Sequence, residues 1–230
     1  MSKRIGKQVE LDTPVPVAPS RWTGGPCLEL IYAFNERYLE NLARAARSGG
    51  AHALAEILRS HRAFWLTTDA QVRRRASRCP FILADFQFGN AIWWRKAQNG
   101  ERLDCPEFQA GVFPWIIAMD LGRDVLTVAW YTARQDICLA TILLGMPAEV
   151  AEIIGDFSLH ELWRVADQQH LWLRPRCENR QVFWDRLLSA AARDDGDALY
   201  DLHRIAFLVA DAELRDAGST SGRVPGIRGP

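Results

Sequence analysis

Apolar residues recur at intervals of three and four along this chain, and only an α-helix gathers such a pattern onto one face. Ile31, Phe34, Tyr38, Leu42 and Ala45 make one such stripe, and Leu121, Val125, Val128 and Thr132 make another. The spacing predicts a long helix at the start of each half, and Gly49-Gly50 closes the first. The second runs over 114–134.

Shorter helices follow each long one. In the first half a helix is expected over 51–62. A second, over 69–78, would be capped by Thr68 and stopped by Pro80. FILADFQF (81–88) is extended in character and reads as a strand or hairpin arm, after which Asn90 caps a helix through Lys96. In the second half Asp136 opens a helix that Gly145 ends, and Pro147 suits the first position of the next. Ser158 caps a helix to Gln168, 170–178 is extended, 180–193 is helical, and a last helix is expected over 198–215. The fold class is therefore all-α: two tandem helical modules, each a long helix followed by shorter ones.

Laid on each other at an offset of 90 residues, ASRCPFILADFQFGNAIWW (76–94) falls on ADQQHLWLRPRCENRQVFW (166–184). Ala76 meets Ala166, Leu83 meets Leu173 and Trp94 meets Trp184, while cap, helix, extended segment and Trp-bearing helix keep their order. An internal repeat accounts for this. The expected division is a flexible arm over 1–24, module one over 25–97, a linker over 98–113, module two over 114–215 and a mobile tail over 216–230. PVPVAP marks the arm, and GSTSGRVPGIRGP marks the tail.

Composition narrows the function. The 48% apolar content supports a packed core, and 28 basic against 28 acidic residues leave no net field to draw in nucleic acid. Any DNA contact falls to a local patch, or to a partner within a complex. The longest uncharged runs are far short of a membrane span, and the basic N-terminus has no apolar run behind it, so a cytoplasmic protein without membrane insertion is expected. Five Cys at irregular spacing suit reduced thiols, with Cys79 and Cys138 read as buried. No Gly-rich phosphate loop, zinc spacing or nucleophile setting occurs, so neither enzyme activity nor a metal or other cofactor is expected.

Three features are candidate binding surfaces. The basic run Arg73, Arg74, Arg75, Arg78, continued by Arg95 and Lys96, places Arg74 and Arg78 on the outer face of one helix. That face reads as solvated, as a phosphate contact or as a dock for an acidic protein. Residues 147–168 admit a helix-turn-helix reading, but His160, Glu161, Trp163, Arg164 and Asp167 on the second helix suit a protein interface better than a phosphate backbone. The Trp-rich helices supply core residues and interface anchors.

The run LLGMPAEVAEIIGDFSLHELWRVADQQHLWLRPRCENRQVFWDRLL (143–188) resembles the C-terminal half of the flagellar transcriptional regulators of the FlhD family. The shared features are a Leu-Gly before an acidic helix start, a Gly before a Ser-capped helix, and an Arg-containing step into a final helix. AWYTARQD (129–136) and LIYAFNERYLENLARAAR (30–47) are similar to parts of that family's long first helix. The likeness covers 27–97 and 115–190. The family's Arg-Phe-Asp step is replaced by Arg176-Cys177-Glu178 here and by Phe86-Gln87-Phe88 in the first copy. FlhD proteins are short, all-helical and dimeric, and they act on flagellar operons together with FlhC. The resemblance thus implies a regulator working through protein contacts, with an FlhC-like partner, two modules forming a pseudo-dimer within one chain, and scope for homo-oligomers. The rival expectation is a non-DNA-binding adaptor in a bacterial multiprotein assembly.

Overall fold

The computed structural model describes residues 25–48, 56–104, 111–178 and 180–204. It is an all-α fold, 74% helical, with a single sheet of two short strands among the described residues. The arm over 1–24, the Gly49-Gly50 stop, the middle of the linker and the tail lie outside the described residues.

In the first half the long helix α1 (Pro26–Ser48) is followed by α2 (Glu56–Ser60), α3 (Arg62–Thr67), α4 (Ala70–Ser77), strand β1 (Ala84–Asp85) and α5 (Ala91–Gln98). The second half repeats the order with α6 (Trp115–Gln135), α7 (Ile137–Leu144), α8 (Ala148–Asp156), α9 (Leu159–Gln168), β2 (Arg174–Pro175) and α10 (Gln181–Arg193). A 3-10 turn (His170–Trp172) precedes β2, and helical turns resume over 196–204.

Several helix starts are fixed by capping side chains. Asn90 Oδ1 accepts from Trp93 N at 3.0 Å, Asp136 Oδ1 accepts from Leu139 N at 3.1 Å, and Ser158 with Glu161 forms a reciprocal capping box. Two expectations move by one residue. Thr68 ends α3, its N–H donating to Phe64 O at 2.8 Å, and the cap of α4 passes to Asp69, whose carboxylate accepts from Val72 N at 2.8 Å. Pro147 is the N-cap of α8 rather than its first residue, with an extended ψ of 151°.

The predicted stripe of α1 is buried throughout, and so is that of α6. Both feed one continuous core that includes Trp65, Trp94 and Trp184, each fully buried. The described ends of the expected linker reach that core through Phe113, which is buried in it, and Leu103, which packs against it. Phe113 meets Tyr38 edge-on at 5.5 Å between centroids, and Trp172 Nε1 donates to Asp104 O at 3.0 Å. Cys79 is buried as expected. Cys138 is exposed instead, because α7 turns Ala140, Leu143 and Leu144 inward and leaves position 138 outside.

The halves are interleaved rather than placed side by side. β1 pairs antiparallel with β2, Ala84 opposite Pro175 and Asp85 opposite Arg174. Arg174 and Pro175 stand 90 positions after Ala84 and Asp85, so each strand residue pairs with the equivalent of its neighbour. A twofold axis between two copies produces that register. Around it, α5 of the first half packs on α8 of the second, with Trp94 edge-on to Phe157 at 6.2 Å. α10 for its part packs on α4 of the first half, the counterpart of α9 rather than of α8, where Arg75 Nε donates to Ala191 O at 2.7 Å. Each half thus gives its Trp helix to the other.

Candidate functional site

The basic face of the first half belongs to α4, a helix of eight residues carrying Arg73, Arg74 and Arg75, with Arg78 as its C-cap. Val72 packs against the core and Ala76 and Cys79 are buried, so the remaining faces point outward, as the spacing predicts. Burial among apolar neighbours pushes the Cys79 thiol up and keeps it neutral.

The arginines do not form a bare positive patch. Arg73 turns back, and its Nη1 donates to Thr68 O at 2.9 Å. Arg74 Nε lies 3.2 Å from Glu36 Oε1 on α1. Arg78 stands over the Tyr32 ring at 5.1 Å and reaches Glu29 at 3.8 Å. Glu29 and Glu36 are seven residues apart and share one face of α1, so they face α4 as a matched acidic row. Between α4 and the C-terminal end of α10 lies an open groove of about 550 Å³. Ala70, Gln71, Arg74, Arg75, Arg78 and Asp194 line it.

Arg95 and Lys96, expected to continue this face, lie elsewhere. They sit on α5, where Arg95 pairs with Glu149 of α8 and Lys96 lies 3.5 Å from Asp104. The hydrogen bond from Arg95 holds the Glu149 carboxyl below its ordinary range. Arg95 ties α5 to the second half, Lys96 reaches the segment that follows α5, and both are separate from the α4 groove.

Trp163 and Arg164 are exposed on α9, and Trp163 Nε1 donates to Thr127 Oγ1 of α6 at 3.1 Å. Asp167, on the same helix, takes a bidentate pair of bonds from Arg123 at 2.7 and 2.6 Å. The α8–α9 corner therefore exists as two helices joined at Phe157 and Ser158, with Gly155 inside the last turn of α8. Its outward face carries the Trp163 indole, Arg164, His160 and the exposed carboxylates of Glu152 and Asp156, while Glu161 is engaged at the cap and Asp167 by α6.

The two halves anchor equivalent helices by ion pairs of opposite polarity. In the first, Arg78 reaches Glu29 of the long helix; in the second, Asp167 takes the bond from Arg123 of the long helix. The surfaces of the halves thus differ in charge where their backbones agree. At the start of the Trp helices they also agree in exposure, since Ile92 is 66% and Val182 63% exposed, 90 positions apart.

Sequence reasoning did not single out Gln71 and Asp194, and it left open what Arg75 touches. Only the arrival of α10 from the other half brings these into one groove, which no local pattern signals. Among the described residues no group of three or more His, Cys, Asp or Glu is placed to hold a metal ion, and no single helix is long and apolar enough to cross a membrane. No family model, curated protein or solved structure matches the chain.

Proposed function

We propose that this chain is an FlhD-like regulatory protein that works in the cytoplasm through protein–protein contact, with the dimer of that family folded into one polypeptide. The observation that carries the reading is the Ala84–Pro175 and Asp85–Arg174 register, which relates two consecutive modules as a twofold relates two subunits. The helical class agrees with it, and so does the exchange of Trp helices.

The electrostatics favour protein over DNA as the direct partner. A duplex offers one negative charge per about 1.7 Å and rewards several uncompensated cations on one side. Here Arg74 and Arg78 face Glu36 and Glu29, and Arg95 faces Glu149. DNA, where it is bound, is contacted within a complex, with an FlhC-like protein supplying the charge. The rival reading, an adaptor in a multiprotein assembly, draws on the same charge neutrality.

Capture of the tagged full chain from its own cells, followed by mass spectrometry, separates the two. Recovery of an FlhC-like protein or RNA polymerase subunits is the expected result. Recovery of envelope or secretion components in their place would overturn the regulatory reading in favour of the adaptor.

A further inference from the structure

We infer that His61 and Asp185 form a pH-sensitive latch where α10 lies on the first half, closed while the imidazole is charged and open when it is neutral. The device belongs to the fold, and it stands whether the chain is a regulator or an adaptor.

The two seams between the halves are crossed by ion pairs at equivalent places. Arg95 and Asp185 stand 90 positions apart, each directly after the buried Trp of its helix. Arg95 reaches Glu149 in the first turn of α8. Asp185 reaches His61, at the junction of α2 and α3, with Oδ1 2.6 Å from Nε2. Residues 58–66 stand 90 positions before α8, so both pairs join a Trp helix to the same part of the opposite half. The chemistry of the two pairs differs. Arginine keeps its charge throughout the range in which proteins fold, whereas a histidine changes charge between about pH 5 and 8.

The hydrogen bonds around His61 fix which form of the ring closes the latch. Nδ1 faces Ile57 O at 3.1 Å, and the same carbonyl accepts from His61 N and from Trp65 Nε1, each at 3.2 Å. A carbonyl only accepts, so Nδ1 must carry a proton to bond there. Nε2 faces an ionised carboxylate, which also only accepts, so it needs a proton too. The doubly protonated ring alone satisfies both, and its charge strengthens the bond to Asp185. When the Nε2 proton leaves to solvent, a lone pair faces Oδ1 and the contact turns repulsive. The His61 side chain is 10% exposed and that of Asp185 62%. The imidazole therefore stays with Ile57 O while the carboxylate swings into water.

The surrounding charges leave Asp185 as the group that decides the latch. Among the described residues it is the only carboxylate within 4.0 Å of the ring nitrogens. Glu178, in the turn before α10, accepts from Glu56 N at 2.9 Å at the far end of α2 and lies 3.9 Å from Arg174. On α1, which packs on α2 and α3, Arg44 pairs with Glu40 and Arg47 donates to Thr68 O. Arg59 and Arg62 flank His61 and Arg186 follows Asp185, all three exposed to screening water.

The test is a double-mutant cycle on the purified full chain, read as unfolding constants from denaturant midpoints at about pH 5.5 and about pH 8. At the lower pH Asp185→Asn should raise the unfolding constant about two- to fivefold. At the higher pH the cost should vanish, because an asparagine amide donates to the neutral Nε2. In a His61→Gln background Asp185→Asn should have the same effect at both pH values. Glu149→Gln, in the counterpart pair, should also cost the same at both. No cost of Asp185→Asn at the lower pH, or an equal or larger cost at the higher, would overturn the latch. So would a pH trend that survives His61→Gln, or the same trend in Glu149→Gln. If His61→Gln fails to fold by circular dichroism, Asp185→Asn against Glu149→Gln decides alone, since Asp185 lies outside the core. These outcomes concern the stability of the isolated chain and fail independently of the cellular capture.

Discussion

Gln87 and Cys177 stand 90 positions apart and adopt the same left-handed backbone, with φ of 57° and 56°. Both carbonyls accept a turn bond from the residue three further on, Asn90 N at 3.0 Å and Arg180 N at 2.8 Å. A non-glycine residue in this conformation is uncommon, so the coincidence identifies the same corner built twice. The corner directs each Trp helix away from its own half and onto the other.

That conformation costs an L-residue about 1–2 kcal/mol, part of which glycine recovers. Gln87→Gly and Cys177→Gly should each stabilise the fold by about 0.5–1 kcal/mol, read as a shift in the denaturant midpoint. A loss of more than about 1 kcal/mol in either would show that the side chain matters more than the backbone strain.

Gly145 makes the opposite case. It closes α7 with φ 67°, and a Cβ there would collide with the Arg176 guanidinium. Gly145→Ala should cost about 1–2 kcal/mol in chemical denaturation. A neutral result would mean that neither the left-handed backbone nor the Arg176 contact carries a cost.

Asn35 is the polar pin of the first half. Fully buried on α1, its amide donates to Phe81 O at 3.0 Å and Cys79 O at 3.2 Å, and its Oδ1 accepts from Leu83 N at 2.9 Å. Truncation to alanine takes the acceptor from Leu83 N and the amide donor from Cys79 O inside the core, so Asn35→Ala should lose about 3 kcal/mol or more. Hydrogen exchange should report the loss first at Leu83. A loss under about 1 kcal/mol would contradict the pin.

His203 gives a pH dependence. Burial lowers its pKa from 6.5 to about 4, and its Nε2 is enclosed without a partner. The unfolded chain therefore takes up the proton first, so the stabilisation is complete above pH 6.5 and is lost as pH falls towards 4. The loss should reach at most about 3 kcal/mol. Replacing His203 with Leu should flatten this part of the pH–stability curve. An equally steep curve in the variant would place the titration elsewhere.

Local chemistry made much of the fold legible in the sequence. The stripes of α1 and α6, the caps Asn90, Asp136 and Ser158, and the Gly145 stop are all decided within a few residues, and each stands where the spacing put it. Neighbouring candidates blurred the boundaries, as where Thr68 and Asp69 both suit a cap. Longer-range matters were not readable. Nothing near Asn35 announces that its amide will hold a loop more than 40 residues away, and nothing in α4 announces that Arg74 and Arg78 will meet an acidic row on α1. For the same reason Arg95 and Lys96 looked like part of one basic face although they tie α5 to other elements.

The interleaving of the halves underlies the functional reading, and native-state hydrogen exchange with increasing denaturant tests it most directly. With Trp94 and Trp184 each buried in the common core, peptides over 91–98 and 181–193 should lose protection in one cooperative step, at the same denaturant concentration. Two steps, with residues 25–98 opening at one concentration and 115–193 at another, would mean two independent modules and would contradict the pseudo-dimer.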